Sequence, residues 1–179
     1  TIVIPAHKGC HRRTELVTQW VTEHFVPVFS SWLSETLGRA SRVFADQAVV
    51  DVGERWSSIQ RKALLESRML LMVWTPSYFA SPWCVAEFET FRQRAKLTRS
   101  HLFVPLLFNG WENLPADARR YQVIDYSEFA IAGGRFKGSK DYPEFVEKTR
   151  FLAGVVAKQL GEAPPLDPTV PTAFADETS

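Results

Sequence analysis

Trp83 and Glu87 stand four residues apart, and their types and spacing are the first in the chain to suggest chemistry. In a helix, at roughly 100° per residue, they share one face, beside a second face made by Cys84, Phe88, Phe91 and Ala95. A carboxylate and a flat aromatic surface are thereby set together at the edge of a core. The plain alternative is an acid favoured by a positive helix end and a tryptophan used for packing; periodicity alone leaves both readings open. Cys84, between the two, has no paired base in the sequence and reads as packing rather than as a nucleophile. His7, Cys10 and His11 are soft metal-ligand types within five residues, but no fourth ligand accompanies them. Ordinary loop polarity is the better reading, and no metal site is expected.

The elements that must position Glu87 are legible around it. Met69 to Trp74 is an unbroken apolar run with the length of a strand buried on both faces of a parallel sheet. Thr75-Pro76 and Ser81-Pro82 each put a capping side chain directly before a proline. The fixed φ and missing N–H of proline suit the first helical position. The spacing therefore predicts strand, turn, one short helical turn, and a longer helix from about Pro82 that carries Glu87. In open α/β sheets, ligands sit beyond the carboxyl ends of such strands.

Taken in order, Thr1 to Pro5 is a short apolar strand feeding the basic loop Ala6 to Arg13. Its Gly9, with His7 and Lys8, suits close approach to a phosphate or ribose. Thr14 to Leu37 repeats large apolar residues at three- and four-residue steps (Leu16, Trp20, Phe25, Val28, Phe29, Trp32, Leu33 and Leu37), with a kink or break expected just before Pro27. Gly38 is a plausible C-terminal cap. Arg42 to Ala45 is a second strand closing on Asp46. The loop Gln47 to Arg55 carries Val49, Val50, Val52 and Gly53, more valine than an exposed loop needs unless it covers a site or meets a partner. Trp56, Ile59, Ala63 and Leu64 give the next helix its stripe. Leu102 to Phe108 and Tyr121 to Ile124 read as the fourth and fifth strands. Asp125 to Tyr142 is a Gly-, Lys- and aromatic-rich loop long enough to act as a lid. Asp141 to Leu160 is the last helix, with Phe145, Phe151, Leu152, Val155, Val156 and Leu160 facing inward.

Five strands alternating with helices predict a doubly wound, flavodoxin-like parallel sheet of order 2-1-3-4-5 with helices on both faces. Residues 1–160 form the domain. Residues 161–179 hold four of the eleven prolines and no apolar period, the composition of a linker or disordered tail leading to a further domain. Lys and Arg total 21 against 20 for Asp and Glu, a net charge of +1, which gives no footprint for nucleic acid or an anionic membrane. No apolar run approaches the roughly 20 residues that cross a bilayer, and the opening residues lack a signal-peptide pattern. Cys10 and Cys84 lie in dissimilar contexts and make no disulfide framework, so the expected home is the reducing cytoplasm.

The block LLESRMLLMVWTPSYFASPWCVAEFE, with Trp-Cys-x-x-Glu at Trp83, Cys84 and Glu87, resembles the centre of a Toll/interleukin-1 receptor (TIR) domain of bacterial type. RVFADQAVVDVGERWSSIQRKAL, from Arg42 to Leu64, resembles that family's second strand, BB loop and following helix. The likeness is strong from Ser41 to about Arg94 and weak on the flanks. The first strand departs from the family pattern, ending in Pro5-Ala6-His7 where a Ser-Tyr pair is usual. Many TIR domains cleave NAD+, and the resemblance implies that Glu87 is the catalytic residue, with NAD+ as substrate and no cofactor. It implies a substrate site made by Trp83, Asp46, His7, Lys8, Gly9, Gly53 and Trp56. It also implies self-assembly into an oligomer or filament through the BB loop Gln47 to Arg55 and the helices, a sensor domain in the same chain or complex, and a role in bacterial immune signalling. Neither nucleic acid nor membrane is an expected partner. The contrasting expectation, also from the family, is a non-enzymatic adapter acting by homotypic contact, with Glu87 a structural acid. A response-regulator reading lacks the acidic cluster after the first strand, and a flavodoxin reading lacks a phosphate loop there.

Overall fold

The computed structural model describes residues 1–4, 15–45, 64–131 and 133–166. Five strands form one parallel sheet in the order β2-β1-β3-β4-β5, as the alternation of strands and helices predicts. They are β1 (Ile2–Ile4), β2 (Val43–Ala45), β3 (Met69–Trp74), β4 (Phe103–Leu107) and β5 (Ile124–Asp125). The fifth strand begins three residues later than the apolar stretch from Tyr121 suggests.

All six residues of β3 are buried, and their alternation explains the unbroken apolar run. Met69, Leu71 and Val73 enter one core, whereas Leu70, Met72 and Trp74 enter the other. Period-2 side-chain alternation sends neighbours to opposite faces, and a central parallel strand is covered on both.

The first core is roofed by a helical run and by the last helix. The run comprises α1 (Glu15–Gln19), a π-helical stretch Trp20–Phe25 and α2 (Val26–Leu37). No break precedes Pro27. The chain instead widens by one residue per turn, and the Val26 N–H donates to the Val21 carbonyl. Proline lacks an N–H and crowds the carbonyl four residues back; a π turn just before it accommodates both without ending the helix. Gly38 closes α2 in the left-handed conformation, φ 62°, as a C-terminal glycine cap should.

The last helix, here α5, spans Tyr142–Glu162 and buries Phe145, Thr149, Leu152, Ala153 and Val156. Phe151 does not face inward; it is 69% exposed, because the core stripe of Phe145, Leu152 and Val156 leaves residue 151 on the far side of the helix. Leu16, at the start of the first run, is also exposed. The segment after β5 is not a free lid. Its short 3-10 turns Ser127–Phe129 and Gly134–Gly138 bury Phe129 and Phe136 in the first core. Both rings meet Phe145 edge-on, at 5.9 and 5.2 Å between centroids.

The second core is covered by α3 (Pro76–Phe79) and α4 (Pro82–Thr98). Trp74 is its centre, set edge-on against Phe79, Phe88 and Tyr121. Arg94, near the end of α4, is buried over the Phe91 ring at 5.1 Å and donates to the carbonyls of Leu64, Leu65 and Ser67. One guanidinium thus ties the far end of α4 to the segment that leads into β3. Among the described residues no helix is long and apolar enough to cross a membrane.

Candidate active site

The carboxyl end of β3 delivers the chain directly into the two predicted caps. Thr75 is extended, and its hydroxyl accepts from the Tyr78 N–H at 3.1 Å; Ser81 is extended, and its hydroxyl accepts from the Cys84 N–H at 3.5 Å. Each proline occupies the first helical position. The short α3 therefore works as a spacer that turns α4 back across the sheet and presents its amino-terminal turns near the end of β3.

Glu87 lies in the second turn of α4 and is only 3% exposed. A carboxylate so enclosed is costly unless its surroundings supply polar or charged partners, and Glu87 does interact with its surroundings. Trp83, one turn earlier, is 42% exposed. The pair therefore spans the boundary of the fold, with the acid inside and the indole at the surface.

Tyr78, which sequence reasoning treated only as part of a turn, belongs to this neighbourhood. It is wholly buried, and its phenolic oxygen has no hydrogen-bond partner. Burial first, and the negative charge of Glu87 second, push the phenol well above its ordinary range, so the carboxylate is within electrostatic reach of the ring.

Cys84 is fully buried in the second core and is not a free thiol but disulfide-bonded. This corrects the expectation of unpaired cysteines and removes their support for a reducing compartment. It also leaves Cys84 without a nucleophilic thiolate. Of the other residues singled out from the sequence, His7, Lys8, Gly9, Asp46, Gly53 and Trp56 lie outside the described residues, as do Cys10, His11 and the BB loop Gln47 to Arg55.

A five-stranded parallel sheet of order 2-1-3-4-5, with an enclosed acid on the longer helix that follows its central strand, defines a flavodoxin-like α/β domain, a fold in which ligands bind beyond the carboxyl ends of the strands. A family model described as the TIR domain matches residues 27–135, and the chain belongs to that family. No curated protein matches it. Among solved structures, the TIR domains of the activated Roq1 resistosome directly recognizing the pathogen effector XopQ are similar at 21% identity. The alignment covers 88% of this chain and 83% of that one, with a TM-score of 0.38.

Proposed function

We propose that this domain is an NAD+ nucleosidase that cleaves the nicotinamide–ribose bond, with Glu87 as the catalytic residue. The observation that carries the reading is the enclosure of Glu87 at the carboxyl end of the central strand, with Trp83 exposed one helical turn away. Cleavage passes through an oxocarbenium-like state, and a carboxylate withdrawn from water interacts with that developing positive charge more strongly than an exposed one does. Nicotinamide departs as a neutral molecule, so departure needs no general acid and one carboxylate suffices. An exposed indole one turn from the acid can stack on a flat ring and fix its geometry. Tyr78 remains protonated beside the acid at any ordinary pH, the direction of its shift making it a neutral neighbour.

Asp46 and the loop containing His7, Lys8 and Gly9 are proposed ribose or phosphate contacts, and Gly53 of the covering BB loop and Trp56, just after it, are proposed further substrate contacts. We assign the domain no cofactor, NAD+ being the substrate. Activity is proposed to depend on self-assembly through the BB loop and helices, under a sensor domain in the same chain or complex, in bacterial immune signalling in the cytoplasm. The products are nicotinamide and ADP-ribose, open or cyclised.

The test is chromatographic detection of nicotinamide after incubation with NAD+, for the parent and Glu87→Ala. The reading expects the variant to lose at least about 10²-fold in rate while assembling as the parent does. Equal rates would remove Glu87 from the chemistry. An assembled parent that releases nothing would favour the adapter.

A further inference from the structure

At the opposite end of the sheet from Glu87, the amino ends of neighbouring strands carry a concentration of arginine that has no carboxylate partner among the described residues. The register sets Ile2 beside both Val43 and Met69, so Arg42 and Arg68, each one residue before its strand, flank Thr1 on either side. The backbone fixes this row: the Ile2 N–H donates to the Arg42 carbonyl, and the Arg68 N–H donates to the Thr1 carbonyl, both at 2.9 Å. Two strand spacings separate the flanking α-carbons, roughly 10 Å. Arg39 joins them from the turn after Gly38. Between these residues opens a cavity of about 270 Å³ lined by Arg39, Arg42 and Arg68, with Ser41 and the apolar wall of Leu33 and Leu37.

Helices antiparallel to the strands end here, and their carboxyl termini supply the bland explanation for basic residues. Arg68 does serve one of them, its guanidinium donating to the Ala163 carbonyl beyond α5. Yet two helix ends carry about half a negative charge each, against three full positive charges. Among the described residues, none of the three arginines forms an ion pair with a carboxylate. The Arg68 Nε is buried with no hydrogen-bond partner among the described residues.

We infer that this cavity binds a small phosphate-bearing anion, held by Arg39, Arg42 and Arg68. Planar guanidinium forks match phosphate oxygens in pairs, and a di- or triphosphate group offers enough oxygens to engage three of them. The site stands at the amino ends of the strands, apart from the proposed nucleosidase site at their carboxyl ends, and its occupancy ties β1, β2 and β3 together with the ends of α2 and α5. The ligand thereby stabilises the fold without entering the proposed nucleosidase site.

The experiment is thermal unfolding of the whole 179-residue chain with increasing inorganic pyrophosphate, against sodium chloride at matched ionic strength. Glu87→Ala and the double variant Arg39→Gln/Arg42→Gln are run in parallel. Both arginines are exposed, so the double variant keeps the fold. The expected result is a saturable rise in Tm of about 3 °C at roughly ten times Kd, equal in Glu87→Ala and lost in the double variant. A rise no larger than that in matched chloride overturns the site. So does a rise retained in the double variant, which would be a general ionic effect, or one lost in Glu87→Ala, which would place the anion at the other end of the sheet.

Discussion

Glu87 and Tyr78 are an unusual pair to find in one apolar layer, an enclosed acid and a buried phenol whose oxygen has no partner. Leaving a buried hydroxyl unpaired costs about 1–3 kcal/mol, so Tyr78→Phe should raise stability, by about 1 kcal/mol or 2–4 °C in Tm for a chain of this size. Calorimetry on the two proteins decides it, and an equal fall in Tm would mean that the phenol has a partner in solution. Glu87 was legible in the sequence because its spacing from Trp83 and its distance after Ser81-Pro82 are local quantities. Tyr78 was not, because its relation to Glu87 depends on how α3 folds back on β3, which no local pattern encodes. The exposure of Trp83 beside a buried Glu87 likewise follows from tertiary contact, since helix periodicity gives both the same face.

At the scale of elements, two joints around the sheet can be tested. Gly110, just after β4, has φ +72°, and a Cβ there would lie 2.7 Å from the ring carbons of Pro76. The end of β4 is thus pressed against the first residue of α3, the spacer that positions α4. Gly110→Ala combines a left-handed backbone penalty with steric overlap against a rigid ring. A loss of about 2 kcal/mol or more in urea unfolding is expected, with reduced NAD+ cleavage because α4 is displaced.

The second joint is His24, buried in the π-helical stretch edge-on to Phe136 at 5.1 Å. Burial lowers its pKa, the Gly133 backbone and Glu23 oppose this, and Lys137 reinforces it. The folded state therefore holds the His24 proton less tightly than the unfolded chain does. Stability should be full above the ordinary histidine value of 6.5 and fall as pH drops below it. Denaturation of parent and His24→Leu at pH 7.5 and 5.5 checks this: the parent should lose more stability than the variant, and equal losses would contradict it. Strand β3, both proline caps and the Gly38 cap were readable because each rests on contiguous residues. The continuity of the helix through Pro27, the outward Phe151 and the anchored segment after β5 were not. Each was decided by what packs across from it: a π turn that absorbs the proline, a stripe already filled by Phe145 and Leu152, and a core that takes up Phe129 and Phe136.

The described residues form a sheet with two chemically different ends, an enclosed carboxylate with an exposed indole at one and, at the other, arginines with no carboxylate partner among the described residues. Strand order and the covering of both faces followed from the alternation of apolar runs with helices, whereas the arginine row emerged only from the register of β1 with β2 and β3. If the nucleosidase pocket is completed between copies, total activity should climb faster than linearly with protein concentration, so that specific activity rises and then levels off, measured across about two decades alongside light scattering. The most direct measurement is nicotinamide release from NAD+ by the parent and Glu87→Ala, both shown to be assembled at high concentration. Release by the parent and its loss in the variant are the predicted result. Undiminished release by Glu87→Ala would contradict the catalytic assignment, and no release from an assembled parent would contradict the nucleosidase itself.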